Sequence, residues 1–136
     1  MTTSITALTE EHRRIEAELD RFGESLAASH IDSERFRHLK ELMIQHYRRE
    51  EPFIASLREH EPRFADKLRE RHEEALEIAD RLGESLTAGE VTDVTYLARR
   101  FLAIAQHNMI EEERDAFPLA ERCFRAEDPP SSSAVP

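Results

Sequence analysis

Apolar residues recur along most of the chain at alternating steps of three and four, the spacing that lines the inward face of a bundle helix. Ile5, Leu8, Ile15, Leu19, Phe22 and Leu26 predict a first helix from about Thr6 to Ala28, with His12 inside its seam. Asp32 or Ser33 is placed to cap a second helix, whose seam of Phe36, Leu39, Met43, His46, Glu50, Phe53 and Leu57 runs to about Glu59. Pro52 cannot donate to the carbonyl of Arg48, so a kink is expected there. Pro62 suits the first turn of a third helix with seam residues Ala65, Leu68, His72, Ala75, Ala79, Leu82 and Leu86, and Gly89 ends it. A fourth helix is expected from Val91 to Asp93 onward, with Val94, Leu97, Phe101, Ile104, His107 and Glu111 in its seam, continuing through Phe117-Pro118-Leu119 to about Phe124.

Two stretches repeat each other. Gln45-His46-Tyr47-Arg48-Arg49-Glu50-Glu51 and Gln106-His107-Asn108-Met109-Ile110-Glu111-Glu112 both read Q-H-x-x-x-E-E. Upstream, His12 leads to Asp20-Arg21-Phe22-Gly23-Glu24-Ser25-Leu26, and His72 leads to Asp80-Arg81-Leu82-Gly83-Glu84-Ser85-Leu86, at an offset of roughly sixty residues. The pattern predicts an all-α protein, an up-down-up-down four-helix bundle built from two repeated helical hairpins. Residues 1–125 form the bundle in this reading. The stretch 126–136, rich in Pro and Ser, acidic and with too little apolar surface to bury, is expected to be a disordered tail.

Composition narrows the function classes. A chain of 136 residues with 3 Gly and no Trp is one helical domain, long enough for its own core. A net charge of −10 repels nucleic acid and anionic membrane surfaces, so neither is expected as a partner. The single cysteine, Cys123, fits a reducing compartment. With no basic start segment followed by an apolar run, and no apolar stretch near the ~20 residues that span a bilayer, a cytoplasmic protein is expected.

The chemistry lies in polar residues at seam positions. His46 with Glu50, and His107 with Glu111, stand one helical turn apart on one face. His12 precedes the first turn by about as many residues as His46 to Glu50 follow it, and His72 stands in the same relation to His107 and Glu111, so all six fall at one level. Two buried carboxylates without compensation would cost several kcal/mol each. No Lys or Arg lies in the seam at that level; Arg48, Arg49 and Arg114 fall beside it. Metal cations would supply the missing charge. A lone seam His is more often a hydrogen-bonded core residue than a ligand, but agreement across four helices outweighs that reading. Elsewhere Glu16 falls beside the seam, in an outer supporting or solvated role, and His30, His38 and His60 lie in turns or off the seam. Cys123 lacks the neighbours of a nucleophile, Tyr47 and Tyr96 read as flank packing, and Gly23 and Gly83 as sites of close helix contact or bending.

These residues resemble the hemerythrin-like, or HHE cation-binding, family, four-helix bundles with a non-haem di-iron centre. The resemblance runs from about His12 to Pro118. It implies that His12, His46, Glu50, His72, His107 and Glu111 are the metal ligands, with Glu50 and Glu111 bridging two iron ions through which an oxo or hydroxo group is shared; zinc and manganese suit the same donors. Oxygen-carrying members have a second His one turn after the third-helix ligand and an Asp at the end; Leu76 and Glu111 stand there in this chain. The sequence is more similar to the iron-sulfur-cluster repair and peroxide- or nitric-oxide-responsive branches. The implied function is a di-iron protein reacting with O2, peroxide or NO in redox or nitrosative stress defence or sensing, with peroxidase-, catalase- or NO-related turnover left open. The alternative is an iron storage or sensing, or oxygen-binding, module without turnover.

Overall fold

A computed structural model of the protein describes residues 4–89 and 91–127. Among them every element is helical: α1 Ile5–Ala27, α2 Ser33–Arg58, α3 Pro62–Ala88, α4 Val91–Glu111, a π-helical turn Glu112–Ala116, and α5 Phe117–Glu127. The last three run on without a break and form the fourth arm of a helical bundle. Each arm packs on the next in the chain, and α1 also packs on α4. The expected tail begins at Ala126, whereas α5 continues to Glu127; the rest of that stretch lies outside the described residues.

The ends of the helices follow from local chemistry. Ser4 caps α1 by accepting from the Ala7 N–H at 3.1 Å. Asp32 caps α2 by accepting from Glu34 and Arg35. Pro62 sits in the first turn of α3, where its missing N–H costs nothing, and Gly89 closes that helix at φ +73°, a left-handed conformation that favours glycine. Helix α2 is continuous through Pro52, which is exposed.

The backbone departs from α-geometry in the fourth arm instead. Phe117 N–H donates to Glu112 C=O, five residues back, so the turn holds one residue more than an α-turn. Pro118 follows directly. In a regular helix its ring would press on the carbonyl of Arg114, and a widened turn at that point relieves the clash.

The core is divided along the bundle. A larger cluster includes Ile15, Leu19, Phe22, Phe36, Leu39, Met43, Ala75, Ala79, Leu82, Leu97, Phe101 and Ala105. A smaller one gathers Leu8, Phe53, Ile54, Leu57, Ala65, Leu68, Ala116, Phe117 and Ala120. Between them, buried residues are polar: Glu11, His12, His46, Glu50, His72, Asn108 and Glu112.

Candidate metal centre

His12 on α1, His46 and Glu50 one turn apart on α2, His72 on α3 and Glu112 at the head of the π-turn converge in that polar layer. His12, His46, Glu50 and Glu112 each offer a ligand atom, and these atoms lie within 4.8 Å of one another. His46 Nε2 is 3.1 Å from Glu50 Oε1, and His12 Nε2 is 3.0 Å from Glu112 Oε1 and 3.8 Å from Glu50 Oε2. His72 Nε2 faces the same carboxylates, 2.6 Å from Glu112 Oε2 and 3.4 Å from Glu50 Oε1. Each carboxylate thus reaches from the His12 side to the His72 side.

Two of the imidazoles are held from behind. His12 Nδ1 is 2.7 Å from Glu113 Oε2, and His46 Nδ1 is 2.7 Å from Glu11 Oε1. With the proton on Nδ1 each ring donates outward and turns an Nε2 lone pair inward, the arrangement that fixes a metal-ligating histidine. Arg49 in turn donates to Glu11, and Arg13 to Glu113. The Tyr47 ring stacks on His72 at 3.9 Å with 11° between planes, and Phe117 stacks on His12 at 5.5 Å. Asn108 shares a hydrogen bond with Tyr47 and donates from Nδ2 to the Arg71 carbonyl at 3.3 Å.

The donor set fits a cation. His12 Nε2 faces Glu112 Oε1 and His46 Nε2 faces Glu50 Oε1, all four atoms buried, yet none of them makes a well-formed hydrogen bond. Buried polar atoms are rarely left so. Protons alone meet the charge poorly. Burial pushes His12 down, but the Glu112 and Glu50 carboxylates outweigh it and leave its pKa at about 9. Burial, with the Glu112 charge beside it, pushes Glu50 well above the usual carboxylate range. Burial acts on Glu112 in the same sense, yet the His12 and His72 imidazoles beside it prevail and hold it ionised. Two carboxylates this close cannot both stay charged without a cation between them.

Of the expected site residues, His12, His46, Glu50 and His72 come together. His107 and Glu111 do not. The His107 side chain is 61% exposed and 3.9 Å from Glu111, which itself meets Arg71 away from the cluster. The inward positions of α4 include Val94, Ala98, Phe101, Ala105, Asn108 and Glu112, which step alternately by four and three, with Leu97 and Met109 buried beside them. Following Ile104 instead of the smaller Ala105 displaces the seam by one residue and puts His107 and Glu111 where Asn108 and Glu112 belong. The matching Q-H-x-x-x-E-E letters reinforce that displacement. Asn108 and Glu112 were legible only through the alanine-bearing seam, and Glu11 and Glu113, which stand behind the rings, had no signal in the seam pattern. Tyr47 is more than flank packing, and Glu16 binds Arg13 at the surface, with 2.7 Å to each of its carboxylate oxygens.

Among the described residues, no helix is long and apolar enough to cross a membrane. Comparison with curated proteins and with solved structures finds no match. A family model does match, over residues 3–128, and it is that of the hemerythrin HHE cation-binding domain. Because the match spans nearly the whole chain and the buried His/Glu cluster lies within it, the protein belongs to the hemerythrin HHE cation-binding family.

Proposed function

We propose that the protein holds two iron ions, with His12, His46, His72, Glu50 and Glu112 as ligands and both carboxylates bridging, and that it reacts with O2, peroxide or NO in redox or nitrosative stress defence or sensing. The observation that carries this reading is the set of four buried donor atoms that converge within 4.8 Å of one another without a well-formed hydrogen bond among them. Mixed imidazole and carboxylate donors suit iron. Bound there, iron would supply one-electron chemistry and open positions for a small ligand.

The chain's own residues set the terms of that chemistry. Glu113 and Glu11 fix the His12 and His46 rings, while Phe117 and Tyr47 cover His12 and His72 and limit water. Leu76, one turn beyond His72, has no donor atom, so no further imidazole closes the centre from α3.

The test is metal analysis of protein made under iron-replete conditions, followed by a steady-state assay of peroxide loss by the loaded protein. Iron with an iron-dependent near-ultraviolet absorption is the expected result; zinc in its place would remove the redox reading. Iron without peroxide loss would favour the second reading, a storage, sensing or oxygen-binding module without turnover, which the complete burial of His12 and Glu50 supports.

The same reading takes the bundle as up-down-up-down, two helical hairpins from one duplicated unit. The short connections support it, as does the matching order of His12 then Glu50 in the first half and His72 then Glu112 in the second. The single cysteine supports a cytoplasmic setting, and the net charge of −10 supports a protein without nucleic-acid or membrane partners.

A further inference from the structure

We propose that the two metal positions are unequal and fill in order, and that Asn108 is the residue that makes them so; the inference rests on the dinuclear reading above. The first position draws on His12, His46, Glu50 and Glu112, whose donor atoms already converge within 4.8 Å. Both of its imidazoles are anchored by an outer carboxylate. The second position has His72 and the shared carboxylates. Among the described residues, no carboxylate sits behind the outward nitrogen of His72.

What the second position lacks is visible in α4. His46 stands one turn before Glu50, and the residue one turn before Glu112 is Asn108. Asn108 is buried at the level where a matching imidazole would stand, but its amide is engaged elsewhere, by the Arg71 carbonyl and by Tyr47. A neutral amide held by two hydrogen bonds is a poor substitute for an imidazole lone pair. Tyr47, stacked on His72, locks that side in its present form.

Loss of an outer partner alone costs about 10- to 100-fold in metal affinity, and loss of a donor should cost at least as much. The second ion is therefore expected to bind at least ~10-fold more weakly than the first. The experiment is an anaerobic titration of metal-free protein with Co(II), followed by calorimetry and visible absorption. Two successive equivalents with separate affinities and distinct spectra are expected. His72→Gln should abolish the second equivalent and spare the first, and Asn108→His should tighten the second at least ~10-fold. If Asn108→His fails to fold, His72→Gln and His46→Gln still decide, since they should remove different equivalents.

Two equivalents of equal affinity in the natural chain would overturn the inequality and leave the iron reading intact. A single equivalent even at large excess would overturn the second position altogether. Zinc in place of iron in the purified protein would defeat the iron reading while the ordered titration stood; no binding at all would defeat both.

Discussion

His12 is gripped from both sides by consecutive glutamates, Glu112 at Nε2 and Glu113 at Nδ1. The neighbour on the other side, Glu111, turns outward to Arg71. Substitution should separate them: Glu112→Ala should sharply lower metal occupancy, whereas Glu111→Ala and His107→Ala leave it near normal by elemental analysis. The opposite outcome would move the site back to His107 and Glu111. Charge gives a second expectation. His12 sits at about 9, so at neutral pH it carries a proton that a metal must displace, and the raised Glu50 acts in the same sense. Metal uptake should therefore release protons and strengthen as pH rises toward 9; calorimetry in buffers of different ionisation enthalpy would detect the release, and a proton-free signal would contradict it. At this scale His12, His46, Glu50 and His72 were legible because each lies in an apolar run whose phase is unambiguous. Glu112 was not, because two alanines carry the phase of α4 and apolar size favours Ile104.

The helices were legible almost to the residue where a cap or proline marks them: Asp32, Pro62 and Gly89 all act as their chemistry dictates. The π-turn was not. Pro118 signals trouble with the Arg114 carbonyl, but a sequence does not say whether a helix answers by bending or by taking in an extra residue. The glycines divide at this scale too. Gly89 has φ +73°, and a Cβ added there would meet nothing within 4 Å, so Gly89→Ala should cost about 1 kcal/mol from backbone strain alone. Gly23 and Gly83 are helical, and an added Cβ would meet Leu102 at 3.8 Å and Phe36 at 4.0 Å, ordinary contacts. Close approach does not demand glycine there. Alanine at either position should stabilise by about 0.5–1 kcal/mol, readable as a higher midpoint in urea unfolding.

Across the whole molecule, metal that binds only the folded chain must stabilise it by mass action. Chelation is expected to lower the melting temperature, and an unchanged transition would count against a site formed on folding. The division of the core adds a mechanical side to this. The apolar clusters above and below are separated by a polar layer whose two carboxylates repel one another when both are charged and no cation sits between them. The centre is thus a clasp between two units of unequal strength. The smaller, around Phe53, Leu57, Leu68, Phe117 and Ala120, includes both ends of the chain's described course and has less apolar surface to hold it. Stripped of metal, the protein should stop unfolding as one piece. Hydrogen exchange should then quicken first at Phe53 to Leu57 and Phe117 to Ala120 while Leu39 and Met43 stay protected, so that a metal-starved chain would be released from one end, open to proteolysis there before its main core gives way.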